Sequence, residues 1–453
     1  MLKTNLPDIF QMKRRFSFHY LLKMFFSVEF IFNCHPTTAQ EKLSLQQAIE
    51  IGLQNNFSIL IAKNESDIAH HNVSFGNAGA LPEINANLIQ NKSVNNTKQK
   101  YASGAEVNKT GATANSLNAT AALSWTVFDG FKMFAVYNRL KSMKQYADLN
   151  MRQQVENIVS DIIAGYFDVI RQEALLNVIA SSMNISDVKL NIAKTKFEIG
   201  TTSKVEYLQA QVDKNAEASA YKKQTINIQS AKVNVNKLLA RDLSLDFEVS
   251  DSIEINYQPQ YEQLKAAFEK QNSSMLIARE NIKIYHYYVD EWRAQHFPSL
   301  DLNAGYNYSQ SHSQANFILD NRTNGLNYGF TARWNLFNGF NLNRSIKNAR
   351  LDYENSKLNF ESVKKNIDAE MIVAFKTFQN NLDLLKLEED NSRLAKENVD
   401  LSLARYQSGI INELQLKEAQ QSFKEALNRL VLARYDAKVT ETNLKKLAGD
   451  LLK

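Results

Sequence analysis

The chain has 453 residues and a formal net charge of +5, with 14 glycines, 5 prolines and a single cysteine. The charge falls to +2 without residues 1–40, which hold five basic and two acidic side chains. So weak a positive charge argues against nucleic-acid binding, and one cysteine excludes a disulfide framework or a thiolate metal site. After residue 40 there is no run of eighteen apolar residues, so the sequence predicts no membrane-spanning helix there.

Residues 1–39 have the features of an export signal. Lys13-Arg14-Arg15 precede an apolar stretch over residues 16–32, and small residues up to Ala39 offer a cleavage site, although Lys23 and Glu29 interrupt the apolar part. Met12 is an alternative start. Cys34, the only cysteine, could carry a lipid, but no small residue precedes it directly, so an unmodified cysteine in the signal is favoured.

The rest of the chain divides into a first structural repeat over residues 40–241, a linker over 242–258 and a second repeat over 259–453. Each repeat is predicted to run helix, strand, polar loop, strand, very long helix, glycine turn and long helix. The first helix has Ser44 as N-cap before apolar residues at helical spacing, and its counterpart follows Pro259. This order makes the fold an α+β fold.

The strands show a period of two, which gives one apolar and one polar face. The apolar set of the last strand is Tyr328, Phe330, Ala332, Trp334 and Leu336, and a weaker set in the first repeat is Leu117, Ala119, Ala121, Leu123 and Trp125. A soluble sandwich gives this pattern too, but the aromatic ends and lengths of about ten residues favour lipid-facing barrel strands. Polar segments 91–116 and 309–325 are expected to be long loops at one barrel end, or flexible linkers.

A motif closes the strands of each repeat: Trp125-x-x-Phe128-Asp129-Gly130 and Trp334-x-x-Phe337-Asn338-Gly339. Asp-Gly and Asn-Gly are common in hairpin turns, but about sixty residues of helical pattern follow, so Asp129 and Asn338 are interpreted as helix N-caps. The second long helix carries a heptad core: Ile346, Tyr353, Phe360, Ile367 and Ala374, with Ala349, Val363, Phe378 and Leu385 on the partner seam. The heptad repeat shifts by one residue between Val363 and Met371, where the step is eight residues instead of seven. Helices of this length, about 100 Å, need coiled-coil partners.

Gly200 and Gly409 are placed to end the long helices in the left-handed conformation. Ser203-x-x-Glu206 and Asn412-x-x-Gln415 then fit capping boxes that start the return helices. Each repeat therefore contains a long antiparallel helical hairpin.

The second repeat follows the first at an offset of 209 residues, from Trp125 to Trp334 and from Gly200 to Gly409. The two repeats supply four amphipathic strands, which cannot close a barrel, and open strand edges cannot face lipid. Several chains must share one barrel, with eight strands from two chains or twelve from three.

This arrangement resembles the outer-membrane efflux protein family, the TolC-like exit ducts. The resemblance covers the chain from about Ser44 to the C-terminus. It rests on the duplicated order, the two aromatic-glycine motifs and the glycine turns with Leu208-x-Ala210 and Leu416-x-x-Ala419 after them. It implies a homotrimer with one twelve-stranded barrel in the outer membrane and a helical tunnel in the periplasm. It also implies a periplasmic adaptor that docks at the helical tips, and an inner-membrane pump.

The resemblance assigns roles at the tips. Glu206 matches the family's gating acid, and Tyr406 matches the tyrosine that this acid contacts. Ile411 stands where a basic residue often completes the network, which implies fewer charge pairs in the closed state. Glu418 matches an acid that rings the constriction and would favour cations, whereas Gln415 replaces the acid one turn earlier.

Plainer interpretations compete with these roles. Glu206 needs no gate to act as a helix cap, and Tyr406 fits a seam aromatic equally well. Trp125 and Trp334, with Phe128 and Phe337, are expected to anchor the barrel at the membrane interface, although strand packing is the alternative.

The sequence contains no phosphate-binding loop, paired-histidine metal motif or nucleophile elbow, so no enzyme, cofactor or metal is expected. A periplasmic coiled-coil scaffold would explain the hairpins but not the repeated strands. Among ducts, small-molecule efflux is favoured over type I protein secretion, and the cargo is not identified.

Overall fold

The structure, a computed structural model, describes residues 41–316 and 318–452. The predicted export signal, with Cys34 and Met12, lies outside the described residues. The helices are α1 (Leu45–Asn55), α2 (Phe57–Asn72), α3 (Lys132–Glu198), α4 (Lys204–Leu238), α5 (Tyr261–Gln271), α6 (Ser273–Ala294), α7 (Asn341–Gln407) and α8 (Glu413–Ala448). The strands are β1 (Glu41–Leu43), β2 (Glu83–Lys100), β3 (Glu106–Phe128), β4 (Phe247–Val249), β5 (Ser299–Ser313) and β6 (Asp320–Arg333).

The four long strands form one antiparallel sheet in the order β2-β3-β5-β6. The central pair joins the two repeats, with Ala121 opposite Tyr306. Within the described residues β2 and β6 are edge strands, and their side chains are exposed on both faces almost throughout. The predicted four-stranded contribution is thus confirmed, and the sheet has two long edges that need partners.

The prediction of long polar loops was wrong, because segments 91–116 and 309–325 are mostly strand. β2 and β3 pair as far as Lys100 opposite Glu106, and β5 and β6 as far as His312 opposite Asp320. The strands run 14 to 23 residues rather than about ten. Backbone pairing satisfies N–H and C=O groups whatever the side chains are, so a strand continues where both faces are polar and alternation is lost.

The long hairpins agree with the sequence prediction. α3 and α7 have 67 residues each, which corresponds to about 100 Å of helix. The predicted heptad of α7 lies against the core, with Ile346, Ala349, Ile367, Ala374 and Phe378 buried. Met371 is fully buried, as expected of a core that slips by one position after Val363.

Each predicted moderate helix is in fact two helices, divided at Asn56 and at Asn272. Both asparagines have φ −61° and ψ 123° and accept hydrogen bonds from the first turn of the helix that follows. Their amide nitrogens donate to the carbonyl oxygens of Leu238 and Leu447, at 2.8 and 2.9 Å. The duplicated break docks each helix pair on the end of its hairpin's return helix.

The interpretation of Asp129 and Asn338 as N-caps needs a correction. The helices begin two residues later, after Phe131 and Phe340, which have φ values of 71° and 61°. Glycines with positive φ precede both phenylalanines, so the chain turns before the helix starts. The side chains still serve the helix start, since Asp129 accepts from the Met133 N–H at 2.8 Å and Asn338 from the Leu342 N–H at 3.3 Å.

A small parallel pair, β1 with β4, has no counterpart in the sequence prediction. Leu43 of β1 and Phe247 of β4 belong to a core with α1, α3 and α4. Ile255 and Tyr257, which follow β4, pack against a second core formed by α5, α7 and α8. The segment between the repeats therefore contacts both cores.

Candidate functional site at the hairpin tips

The two hairpin tips, residues 197–206 (tip 1) and 406–415 (tip 2), have the same backbone. Gly200 and Gly409 have φ values of 78° and 74°, the left-handed conformation that ends a helix and that side chains disfavour. The N–H of Thr201 donates to the Lys196 carbonyl at 2.8 Å, and that of Ile410 to the Arg405 carbonyl at 2.9 Å. The predicted glycine turns are confirmed.

The caps of the return helices differ between the tips. At tip 2, Asn412 and Gln415 form the predicted reciprocal capping box. At tip 1, Ser203 accepts from the Glu206 N–H at 3.3 Å, but the Glu206 carboxylate accepts a hydrogen bond from the Thr202 hydroxyl instead of completing the box. Glu206 thus stabilises the start of α4 through its neighbour in the turn.

Tyr406 is 2% exposed at the end of α7 and faces the first hairpin. The ammonium of Lys196 on α3 lies 4.4 Å from the centre of its ring and donates to its carbonyl oxygen at 3.1 Å. Burial raises the pKa of Tyr406 to about 12, and the carboxylates of Glu413 and Glu206 add to the shift. Its hydroxyl has no hydrogen-bond partner among the described residues.

Above the tips, a buried lysine joins the two hairpins. Lys189 on α3 is 1% exposed, and its ammonium lies 2.7 Å from carboxylate oxygens of both Asp213 on α4 and Glu413 on α8. The ammonium of Lys417 on α8 lies 2.9 Å from the second Asp213 oxygen. These four residues are called the Lys189 network below.

Opposing effects act on Asp213. Burial raises the pKa of its carboxyl, but hydrogen bonds from Lys189, Lys417 and Gln209 outweigh burial and hold the pKa below the ordinary 3.8. The carboxylate is therefore ionised at neutral pH and pairs with lysines from both hairpins.

Further polar contacts continue the same junction away from the tips. The Gln420 amide donates to the carbonyl and hydroxyl of Ser182 and, at 2.8 Å, to the hydroxyl of Ser186. Lys424 binds Glu217 at 2.9 Å. Together with the Lys189 network, these contacts give the junction between α8 and the first hairpin a polar, ion-paired part beside the apolar cluster of Ile185, Ala419 and Phe423.

Sequence reasoning missed Lys189, Asp213 and Lys417. A pattern does identify Lys189. Residues on the buried side of α3 follow one another at alternating spacings of four and three, namely Val178, Ser182, Ile185, Lys189 and Ile192. A lysine at a seam position needs carboxylate partners. Those partners lie on two other helices, so spacing along the chain does not name them.

The remaining predicted tip residues lie on the surface of the single chain. Gln415 and Glu418 are exposed on α8, and Ile411 is half-buried in the turn. The structure brings Glu206 and Tyr406 into one charged neighbourhood but does not place Glu418 there.

The predicted interface aromatics lie at the other end of the helices and are duplicated in detail. The indole N–H of Trp125 donates to the Ala80 carbonyl, and that of Trp334 to the His296 carbonyl, both at 3.0 Å. Phe128 packs edge-on against Phe131 with centroids 5.3 Å apart, and Phe337 packs likewise on Phe340. Trp334 and Phe337 nevertheless keep most of their surface exposed, as a membrane-interface position would need.

The described helices contain none with the length and apolar character to cross a membrane. In the same part of the chain, no group of three or more histidine, cysteine or acidic side chains is placed to hold a metal ion.

Comparisons with known proteins agree with this architecture. A family model described as outer membrane efflux protein matches residues 48–241 and 266–450. Proteases secretion protein PrtF of Dickeya chrysanthemi is 21% identical over 421 residues, covering 91% of this chain and 89% of PrtF. Outer membrane protein TolC of Vibrio cholerae is 20% identical over 405 residues, covering 88% of this chain and 89% of TolC.

Among solved structures, the Campylobacter jejuni CmeC outer membrane channel superposes with a TM-score of 0.74 at 16% identity. The match covers 90% of this chain and 86% of CmeC. The matched family and structures are outer-membrane channels, not enzymes. This chain belongs to the outer membrane efflux protein family, in which three copies close one twelve-stranded barrel in the outer membrane and extend a helical tunnel into the periplasm.

Proposed function

We propose that this chain is the exit duct of a tripartite efflux system, which passes small molecules from an inner-membrane pump and a periplasmic adaptor to the exterior. Two features of the same chain support this proposal. Its sheet has two open edges, and its hairpins, about 100 Å long, leave from one end of that sheet. A shared barrel above a ring of hairpins is a tube. No catalytic group is needed, because a duct supplies a path and the pump supplies the energy.

The tips offer a docking surface for the adaptor. Ile199 at tip 1, and Ile410 and Leu414 at tip 2, are each more than 60% exposed. Apolar side chains exposed together at the end of a helical hairpin mark a protein-binding surface. The adaptor is expected to cover these residues when the system assembles.

The tips also form the gate in this proposal. Tyr406 and the Lys189 network hold the hairpins of each chain together at rest, Glu206 adds its charge beside Tyr406, and adaptor docking separates the hairpins. Glu418 is exposed on α8, so three chains would present three carboxylates near the constriction and favour cations. In planar bilayers, Glu418→Gln is expected to reduce cation selectivity, measured as the reversal potential in a salt gradient. An unchanged reversal potential would place Glu418 outside the conducting path.

Type I protein secretion is the second candidate, and one observation favours it. PrtF, whose name describes protease secretion, matches across nine-tenths of this chain. The family description as an efflux protein favours small molecules.

A deletion strain of the native host separates the two cargo classes. Small-molecule efflux predicts that the strain accumulates a fluorescent dye and keeps its set of secreted proteins, whereas secretion predicts loss of particular proteins from the medium and normal dye levels. Restoring the gene is the control. Copurification of the inner-membrane pump identifies the system independently. Recovery as a soluble periplasmic species rather than in the outer-membrane fraction would replace the duct with a coiled-coil scaffold.

A further inference from the structure

The hairpins of one chain form a layer of four helices with two free flanks. α3 packs on α4 and on α8, and α8 is also the helix that α7 contacts most. α4 and α7 are therefore the outer helices of the layer. In a trimer, α7 of one chain must meet the first hairpin of the next.

The duplication shows what such a meeting looks like, because one junction between hairpins lies inside the chain. On α3, Val178 is 5% exposed and Ile185 packs into a cluster with Val399, Ala419 and Phe423 of the second hairpin. Ile192 continues this heptad and is half-buried.

The equivalent heptad on α7, 209 residues later, has nothing to cover it in one chain. Leu387, Leu394 and Leu401 are 54%, 54% and 60% exposed. Leucines at a strict seven-residue spacing on a long helix form a coiled-coil seam. In the internal junction, Ile185, the equivalent of Leu394, packs against the neighbouring hairpin.

The other free flank carries a matching apolar surface. Val205, Leu208 and Val212 are exposed at positions i, i+3 and i+7 of α4, so they lie on one side of the helix. The residue of α8 equivalent to Leu208 is Lys417, which binds Asp213. Where α8 presents a charge to the first hairpin of its own chain, α4 presents a leucine.

The ion pairs of the internal junction are almost entirely absent from the equivalent positions. At the offset of 209 residues, the equivalents on the second hairpin are Asn398 for Lys189, Ser422 for Asp213 and Ala426 for Glu217. The equivalents on the first hairpin are Lys204 for Glu413, Leu208 for Lys417 and Asn215 for Lys424. Lys204 is the one charged residue in this second set.

We propose that the leucine heptad of α7 packs on α4 of the next chain, in an apolar seam that lacks the ion pairs of the seam within each chain. This inference rests on the proposed trimeric duct and adds the surface by which its chains meet along the tunnel. Near the tips, the seam ends in a contact that repeats the one between Lys196 and Tyr406. Their equivalents are Arg405 and Phe197, and Arg405 of one chain stacks on Phe197 of the partner subunit.

The free chain leaves both groups of this last contact available. One face of the Phe197 ring stacks on Tyr207 at 5.8 Å, and the side chain remains 38% exposed. The structure gives the Arg405 guanidinium no ion-pair partner among the described residues, and the residue is exposed. A cation over an aromatic face is the contact that the internal junction already shows.

Cysteine cross-linking tests the seam, and the duplication supplies its control. The Gln420 amide lies 2.8 Å from the Ser186 hydroxyl within one chain, and the equivalent positions are Gln211 and Ala395. In a Cys34→Ser background, Gln211→Cys with Ala395→Cys should give covalent dimers and trimers after oxidation and boiling in detergent. Ser186→Cys with Gln420→Cys should give only a cross-linked monomer.

The outcomes separate this inference from the proposed function. A detergent-purified trimer in which the control pair cross-links but Gln211→Cys with Ala395→Cys does not would overturn the seam and leave the duct standing. A monomer by light scattering would overturn both.

A second variant needs no cross-link. Leu394→Asn should lower the temperature at which the trimer dissociates by several degrees, because the side chain is buried only between chains. Lys396→Asn, at an exposed position two residues away, is the matched control and should leave it unchanged. Equal dissociation temperatures for the two variants would contradict burial of Leu394.

Discussion

The two hairpin tips of one chain share a backbone and differ in charge. Gly200 and Gly409 turn the chain in the same conformation, and each is followed by a side-chain cap three residues later. Yet the first turn of α8 presents Glu413, which pairs with Lys189, where α4 has Lys204. The backbone of the turn is therefore the same at both tips, whereas the carboxylate that pairs with Lys189 at tip 2 is replaced by a lysine at tip 1.

The largest expected effect comes from removing the lysine that joins the hairpins. Lys189→Ala leaves the carboxylates of Asp213 and Glu413 close together and largely buried without their shared cation. Loss of one partner from a buried ion pair typically costs about 3–5 kcal/mol. The variant should unfold at a lower temperature in detergent and conduct more in planar bilayers.

Lys194→Ala is the matched control on the same helix. Its ammonium is exposed and lies 3.9 Å from Glu198, so its removal should change stability by less than about 1 kcal/mol. If both variants unfolded at the same temperature, the Lys189 network would not hold the hairpins together.

Acid should weaken the same network, and the sign follows from Asp213. Its pKa in the folded protein lies below 3.8, so the ionised carboxylate adds stability at pH values above 3.8. That stability is lost as the pH falls through the lower, folded-state pKa. The unfolding temperatures of the wild type and Asp213→Asn should therefore differ at pH 7 and begin to converge as the pH falls below about 4. A difference that stays constant as the pH falls well below 3.8 would mean that Asp213 acts by shape rather than charge.

Local and repeated features were predictable from the sequence. The four strands, the glycine turns and the heptad of α7 each depend on residues within one element, where period and spacing determine which side is buried. The length of the strands was missed for a related reason. Beyond Asn91 the alternation stops, because both faces of the sheet become polar while backbone pairing continues to Lys100.

Features that depend on distant partners were not predictable. Asn56 and Asn272 look like ordinary polar residues in a helical stretch until their contacts with Leu238 and Leu447 are known. The position of Lys189 on the buried side of α3 follows likewise from residue spacing, but its ion-pair partners lie on other helices, far away in the sequence. The helical hairpins were therefore predictable from the sequence, whereas the ion pairs that join them were not.

A smaller effect distinguishes the caps of the two tips. Asn412 and Gln415 cap α8 reciprocally, whereas Ser203 caps α4 through one bond. Replacing an N-cap by alanine costs about 1 kcal/mol, and the double variant Asn412→Ala with Gln415→Ala should cost more than Ser203→Ala, because it also removes the side chain that accepts the return bond from the backbone N–H of residue 412. Thermal unfolding of both variants measures the difference. A larger loss for Ser203→Ala would show that the Thr202 and Glu206 contact depends on that serine.

The smallest effect is expected from removing only the hydroxyl of Tyr406, the residue that the family resemblance singles out. Its hydroxyl is buried without a hydrogen-bond partner among the described residues, while its ring lies against Lys196. Tyr406→Phe keeps the ring and removes an unsatisfied polar group, so it should be neutral or stabilising by up to about 1 kcal/mol, with unchanged conductance.

Tyr406→Ala is the informative counterpart, because it removes the ring as well. Loss of a buried aromatic side chain costs about 3–5 kcal/mol, and conductance should rise as the hairpins of each chain loosen. If Tyr406→Phe alone raised conductance, the hydroxyl would have a hydrogen-bond partner in the closed trimer, and Glu206 with its partner-subunit neighbours would be the first place to look. The pair of substitutions thus separates a gate held by one hydroxyl from a gate held by packing and the cation above the ring.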